Sequence, residues 1–286
     1  MEKIILQKWM DYSSNLNFVS GQITRDGTLL LIESPLQEFD FFQRPVQKNN
    51  WTIRMIKDTG IETVELKNVP LMPTEVDLFS DGSLLIVQGR CLKDGKYIER
   101  NARIYNINGQ LIEAFTLGDG ISDVQIDETD TIWVSYFDEG IFGNFGWEQP
   151  MGSAGVIAYT MNGHKLWGAS DYGMIDCYAL NVVSSKEVYF YYYDDFYLVQ
   201  LSEMKETIRY RVEGNTIQQF IFDQAGLIGQ VDMSTIMRFS IRNRTISPKE
   251  KLQLIGETGK RIIGHIFMRG KFLYVYGKDG IYKGIF

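Results

Sequence analysis

The chain has 286 residues, of which 44% are hydrophobic and 23% are charged, and this apolar content excludes a disordered chain. Its 29 Lys and Arg against 36 Asp and Glu give a formal net charge of −7, which disfavours binding to nucleic acid and to anionic membranes. Two cysteines give no disulfide framework, and no stretch approaches the roughly 20 apolar residues of a membrane span. The sequence therefore predicts a cytoplasmic protein.

A strand, a tight turn and a second strand of bulky residues recur six times along the chain. The repeats lie at 21–32, 76–87, 124–134, 180–191, 219–231 and 264–276. Their predicted turns are Asp26-Gly27, Asp81-Gly82, Thr129-Asp130, Ser184-Ser185, Ala225-Gly226 and Arg269-Gly270. Asp-Gly favours a two-residue type I′ turn because both central positions need a positive φ.

A third strand and usually a fourth follow each hairpin, with Asn-Gly turns at Asn108-Gly109 and Asn162-Gly163. Four antiparallel strands repeated six times predict an all-β fold, a single-domain six-bladed β-propeller. The predicted blades are 16–68, 73–117, 120–169, 175–213, 216–258, and 261–286 together with 1–10. The N-terminal strand is expected to close the last blade as its outermost strand, because this pairing removes two exposed edges.

The segment 120–140 (GISDVQIDETDTIWVSYFDEG) resembles the repeat of two-component-regulator, NHL and SMP-30-like propellers. That repeat reads as a strand, a D-x-x-G turn, an Ile-Trp-Val strand and a Gly, and here Asp130 replaces the turn Gly. The resemblance implies the propeller architecture. It also implies where a ligand would bind, since SMP-30-like hydrolases hold a divalent metal in the channel with acidic and amide ligands.

The loops between the second and third strands are long in the first three predicted blades, at 34–50, 90–100 and 138–154. Long loops on a rigid scaffold are where function concentrates. These loops carry aromatic and acidic residues that predict a contact surface for a protein partner or a ligand: Phe39, Phe41, Phe42, Phe142, Phe145, Trp147, Asp138 and Glu139. The alternative is that the loops fold onto the rim and bury these rings as a small core of their own.

The innermost strands supply a second candidate site. Aligning the six hairpins places Gln22, Asp77, Gln125, Asn181, Phe220 and His265 at one position, with Glu75 and Asp123 two residues nearer the rim. The candidate ligands for a divalent cation in the channel are Glu75, Asp77, Asp123, Asn181 and His265. The alternative is that polar side chains in a wet channel simply bind water.

Two functional hypotheses follow from these patterns. The first is a binding propeller without a cofactor, which contacts a protein or a small ligand through the long loops of blades one to three. The second is a metal-dependent hydrolase or lyase that acts in the channel. The first is preferred because the long loops are confined to three blades and are rich in aromatic residues, whereas the second rests on the polar row alone.

Overall fold

A computed structural model describes residues 2–40, 47–144, 146–214 and 216–286. The described residues are mainly β-strand, which confirms the all-β prediction. One short helix, α1 (Asp138–Phe142), and one 3-10 turn, Ser170–Tyr172, are the helical elements of these residues. No helix among the described residues has the length and the apolar composition that spanning a bilayer requires.

The strands form successive four-stranded antiparallel sets, which we number in chain order; β1 (Glu2–Met10) belongs to the last of them. Set one contains β2 (Asn17–Ile23), β3 (Leu29–Ser34), β4 (Asn49–Lys57) and β5 (Gly60–Val69). Set two contains β6 (Glu75–Leu78), β7 (Leu84–Val87), then the small hairpin β8 (Lys93–Asp94) and β9 (Tyr97–Ile98), and finally β10 (Ala102–Tyr105) and β11 (Leu111–Phe115). Set three contains β12 (Ile121–Ile126), β13 (Ile132–Tyr136), β14 (Val156–Tyr159) and β15 (Lys165–Gly168).

The second half of the chain continues the same arrangement. Set four contains β16 (Asp176–Ser184), β17 (Glu187–Tyr193), β18 (Tyr197–Ser202) and β19 (Lys205–Val212). Set five contains β20 (Gln219–Asp223), β21 (Gly226–Gln230), β22 (Ile236–Arg242) and β23 (Thr245–Gly256). Set six contains β24 (Gly264–Arg269), β25 (Phe272–Gly277), β26 (Gly280–Ile285) and β1.

Strand β1 joins the two ends of the chain. Its second half pairs antiparallel with β26, with Gln7 opposite Lys283. Its first half pairs in parallel with the last strand of set five, with Glu2 opposite Leu252. The N-terminal segment therefore covers the outer edge of set six and ties that set to set five.

The first strands of the six sets surround a central channel. Each of β2, β6, β12, β16 and β20 contacts the first strand of the next set, and β24 contacts β2. The second strands lie between packed neighbours, so β3 and β13 are buried along their whole length. This explains why the sequence of these strands is a continuous apolar run rather than an alternating one.

The first three hairpins have three-residue loops in place of the predicted two-residue turns, whereas the last three do have two turn residues, each pair shifted by one position from the predicted one. In the first hairpin the Thr24 N–H donates to the Thr28 carbonyl, which leaves three residues in the loop, and Gly27 has φ +88°. A three-residue hairpin loop of this kind is a type I turn followed by a residue with positive φ, and here that residue is Gly27. The last hairpin does have two turn residues, but they are Gly270 and Lys271, so Arg269 is the last residue of its strand.

Candidate functional site

A cavity of about 240 Å³ occupies one end of the central channel. It is lined mainly by residues of the first strands, among them Gln22, Glu75, Asp123, Gln125 and Tyr178. Glu75 is the first residue of β6 and Ser122 the second residue of β12, so this part of the lining lies towards the rim where each set connects to the next. The long loops between second and third strands lie on this same rim, because antiparallel strands return there.

Arg269 lies on the axis beside this cavity. Its side chain is 1% exposed and donates to the carbonyl oxygens of Ile23 (3.1 Å), Val182 (2.9 Å) and Ile126 (2.6 Å). It also forms an ion pair of 2.7 Å with Asp77, whose side chain is equally buried. One guanidinium from set six thus contacts sets one to four, and it crosses the channel below the cavity.

Asp77 would be costly to bury without that partner. Burial raises the pKa of Asp77, and the Arg269 charge and hydrogen bond oppose the rise. The carboxylate also accepts hydrogen bonds from the Ile126 N–H (2.6 Å) and the Leu78 N–H (2.8 Å). Asp77 is therefore held in a structural contact between sets.

Amide side chains join adjacent first strands next to this ion pair. Gln125 donates to Leu180 O (3.0 Å) and accepts from Val182 N–H (2.7 Å). Gln219 accepts from the Met268 N–H at 2.9 Å. Each amide thus acts as a bridge to the backbone of the following set.

The remaining members of the aligned polar row follow this pattern only in part. Gln22 and Asn181 make the same kind of contact, to Val76 O and to Phe220 O respectively. In sets five and six the bridge uses Gln219 and the backbone around Phe267, and not the aligned Phe220 and His265. The hairpin alignment therefore drifts by one or two residues in the last two sets.

Glu75 and Asp123 line the cavity on neighbouring strands and interact electrostatically. Burial is the main cause that raises the pKa of Glu75 well above its usual value, and the Asp123 charge adds to it. Burial also raises the pKa of Asp123 to about 7, which the Arg269 charge and a hydrogen bond from Gln125 oppose. This pair of carboxyls keeps a proton near neutral pH, because ionising both would bury two negative charges close together.

The mouth of the cavity adds a further acidic group. Asp176 begins β16 and lies two residues before Tyr178 of the cavity wall. Burial raises the pKa of Asp176 to about 6, and the nearby Asp138 charge contributes. Since Asp138 starts α1 in the long loop of set three, this loop reaches the mouth of the channel.

The five predicted metal ligands do not share one site. Glu75 and Asp123 line the axial cavity, whereas Asp77 and Asn181 are engaged in the contacts between strands described above. His265 lies in a different cavity of about 380 Å³, where its ring is 4.1 Å from that of Phe18. Within residues 2–40, 47–144, 146–214 and 216–286, no three His, Cys, Asp or Glu side chains are grouped as a metal site would need.

The predicted aromatic surface is partly buried and partly exposed. Trp147 is 3% exposed and its indole N–H donates to Cys91 O at 2.8 Å, so it forms the core of its loop. Phe142 is 64% exposed. Phe39 is half-buried and stacks on Trp51 with 6.2 Å between ring centroids. The predicted residues Phe41, Phe42 and Phe145 lie outside the described residues.

The long loop of set three contacts the segment that connects set two to set three. Glu139 forms an ion pair with Arg90, and Arg90 also pairs with Asp119 at 3.1 Å. Gly120 has φ +70°, and a Cβ on it would lie 2.3 Å from the Gly140 nitrogen. The loop can therefore approach the connection only because both positions are glycine. The ion pair of Glu139 with Arg90 therefore helps to hold the loop in place.

Comparisons with known proteins concern mainly the fold. A family model described as the YxzG family matches residues 152–284, and no curated protein matches the chain significantly. Virginiamycin B lyase from Staphylococcus aureus is similar in structure over 97% of both chains, with 11% identity and a TM-score of 0.53. A chain of the mitotic checkpoint complex is similar over 96% of this chain and 76% of its own, with 6% identity and a TM-score of 0.54.

A gluconolactonase from Xanthomonas campestris is similar over 97% of this chain and 88% of its own, with 10% identity and a TM-score of 0.49. Identities this low relate folds and leave activity undecided. The strand order and the likenesses to the first two structures agree on an all-β, propeller-like fold.

Sequence reasoning missed three residues that matter here. Arg269 was assigned to a turn, and Gln219 was placed beside the aligned position and not at it. Asp176 was not singled out at all. A buried arginine after an apolar strand carries no local signal of its own, but the unbroken run Gly264–Arg269 in front of a glycine was compatible with a longer strand.

Proposed function

We propose that this protein is a six-bladed β-propeller that binds a small polar ligand in its axial cavity. Each four-stranded set is one blade, and the cyclic contacts of the six first strands support this count. The observation that carries the function is the cavity itself, lined by the Glu75 and Asp123 carboxyls and bounded below by the Arg269 contacts.

The size of the cavity favours a small molecule as its occupant. A volume of about 240 Å³ is well above the roughly 10–15 Å³ that one water molecule needs and lies below the roughly 300–1,000 Å³ of pockets for drug-sized ligands. The lining is polar, with carboxyl, amide and hydroxyl groups facing the space. Ligand sites with few, well-placed polar groups in a concave pocket are the usual pattern in proteins.

In the proposed arrangement, the long loops of blades one to three lie around the mouth of this cavity. The acidic start of α1 lies near Asp176, and the contacts between α1 and β16 support this placement. Phe142 is exposed on the same helix and is available to a ligand or to a protein partner. Contact with a partner through these loops stays a prediction of the sequence.

A second candidate is an enzyme that uses the same cavity as a lyase or hydrolase. The observation in its favour is that Glu75 and Asp123 are neighbours with raised pKa values, since such a pair can donate and accept a proton near neutral pH. The metal-dependent form of this candidate stays a prediction, with Glu75 and Asp123 as the two predicted ligands that share the cavity.

A fragment screen by ligand-observed NMR tests the proposed function. Ser122 is exposed and lines the cavity, so Ser122→Trp should fill the mouth without disturbing the core. Ser170 is exposed and lies outside this cavity, so Ser170→Trp is the matched control. We expect polar fragments that bind the wild type and the control but not Ser122→Trp. If every fragment binds all three proteins equally, the axial cavity is not the binding site.

A further inference from the structure

The chemical class of the ligand can be inferred from the charges of the axial cavity. Its lining contains two acidic residues, Glu75 and Asp123, and, within the part of the chain that the structure describes, no Lys, Arg or His. The other polar lining groups are amides and hydroxyls, for example Gln218, Ser20 and Tyr178. A cavity of this composition has a negative potential at neutral pH whenever either carboxyl is ionised.

The carboxyls of the cavity have no cation beside them. Among the described residues neither Glu75 nor Asp123 forms an ion pair, whereas Asp77 two residues further along β6 is paired with Arg269. Arg269 does act on Asp123 at longer range, but its hydrogen bonds go to Asp77 and to backbone carbonyls. Gln125 donates a hydrogen bond of 3.0 Å to Asp123 and Thr74 one to Glu75, but no ion pair among the described residues offsets the cost of burying these two charges.

A separate observation points to a ligand at the same place. Ser135 lines the cavity and is 0% exposed, yet its hydroxyl oxygen has no hydrogen-bond partner among the described residues. The Cys177 thiol lies beside it and is the one described group towards which its O–H can be directed, as a weak acceptor. Buried hydroxyls are normally hydrogen-bonded, so the acceptor positions of this oxygen are open to an occupant of the cavity.

We propose that the ligand is a small organic cation with a primary ammonium group, bound by the Glu75 and Asp123 carboxylates at the axial cavity. This proposal rests on the proposed function, and it specifies the ligand of that site. An ammonium has three N–H donors, and two carboxyls together with a neighbouring hydroxyl or amide oxygen can accept all three. The pairing would supply in the bound state the positive charge that the cavity lacks.

Other ligand classes fit this lining less well. A carboxylate or phosphate would face two acidic groups with no cationic side chain to hold it. A quaternary ammonium is usually held by several aromatic faces, and the lining offers only Tyr178 and Phe267. A calcium ion takes six to eight oxygen ligands, and the described residues bring two carboxyls to this cavity.

Thermal unfolding with three probes of equal chain length tests the inference. The probes are 1,4-diaminobutane, 1,4-butanediol and succinate, with magnesium and calcium chloride as separate samples, all at pH 8 and equal ionic strength. We expect the diamine alone to raise Tm, by about 2 to 4 °C at tenfold above its Kd. This shift should disappear in Glu75→Gln/Asp123→Asn and in Ser122→Trp, and persist in Ser170→Trp.

The outcomes separate the two proposals. An equal shift with the diol or with succinate, lost in Ser122→Trp, would overturn the cationic ligand and leave small-molecule binding in the cavity standing. A shift with the divalent ions only would overturn the organic cation in favour of a metal. No shift with the diamine overturns the cationic ligand, and only the additional failure of the fragment screen would overturn the proposed function.

Discussion

Two acidic levels of the central channel differ in one respect. Asp77 lies within contact of the Arg269 guanidinium and is fixed by it, whereas Glu75, two residues earlier on β6, lies in a cavity with Asp123 and has no such partner among the described residues. Both levels are built from the same strands. They differ because the Arg269 side chain, which comes from set six, forms an ion pair with Asp77 and not with Glu75.

The comparison shows that one channel can hold a level whose charges join strands and a level whose carboxyls lack an ion-pair partner. The lower level uses its charges to hold several strands together, because each donor of Arg269 has a fixed acceptor. The upper level leaves its carboxyls with hydrogen bonds but, among the described residues, without an ion-pair partner. Sites with unsatisfied buried charge are often functional, since stability is lost there in return for binding.

Removal of the arginine at the lower level should have the largest effect. Arg269→Met leaves the Asp77 carboxylate buried and unpaired, and we expect the free energy of unfolding to fall by about 3 to 5 kcal/mol. Urea denaturation measures this change. Lys271→Met, an exposed cation two residues away, should change it by less than about 1 kcal/mol.

A second variant checks the cause of that loss. Adding Asp77→Asn to Arg269→Met removes the unpaired charge, so the double variant should recover part of the stability. If Arg269→Met were as stable as the wild type, the lower level would not hold the strands together.

The loop of set three offers the same contrast between a buried and an exposed side chain. Trp147→Ala removes a buried indole and its hydrogen bond to Cys91, and we expect a loss of about 3 kcal/mol in unfolding free energy. Phe142→Ala should change it by less than about 0.5 kcal/mol, because this ring is exposed. Equal losses in the two variants would mean that the loop is not held by Trp147.

The upper level should respond to pH in the opposite sense to a salt bridge. The pKa of Asp123 is raised from 3.8 to about 7, so the folded state binds more protons than the unfolded state between these values, and stability falls as pH rises through this window. Asp123→Asn removes the charge. It should stabilise the protein by about 1 to 2 kcal/mol at pH 8 and progressively less towards pH 4.

The charged and titratable groups around Asp123 determine its pKa and therefore the pH range of this prediction. Its charged or titratable neighbours are Glu75 and Asp77 on β6, Cys177 on β16 and Arg269 on β24. Unfolding midpoints of wild type and Asp123→Asn between pH 4.5 and pH 8 provide the measurement. A gain that does not depend on pH would show that packing, and not the carboxyl charge, causes it.

The smallest effect is expected at the mouth of the cavity. Burial is the main cause of the raised pKa of Asp176, and the Asp138 charge is a lesser one. Asp138→Asn should therefore lower the Asp176 pKa from about 6 by less than about one unit. Carboxyl carbon NMR titration follows this directly. An unchanged value would mean that the loop of set three does not reach the mouth.

The aromatic residues show the limit of reading a site from the sequence. The long loop of set three was recognisable, but Trp147 and Phe142 looked equivalent there, and only the structure separates the buried ring from the exposed one. Glu75 and Asp123, which the alignment puts near the rim, both line the cavity. His265 does not, because the alignment is shifted in set six, where Phe267, two residues further along β24, lines the cavity instead.

The amino-acid sequence by itself determined the strands, because short apolar runs that are rich in β-branched and aromatic residues and bounded by turn residues favour strands over helices. It also determined that the first strands carry a polar row. Which of those polar groups acquired a charge partner was decided in three dimensions, where Arg269 reaches residues as distant in sequence as Ile23. Contacts between residues that far apart have no local pattern, and the open cavity above them exists only because the six sets meet around one axis.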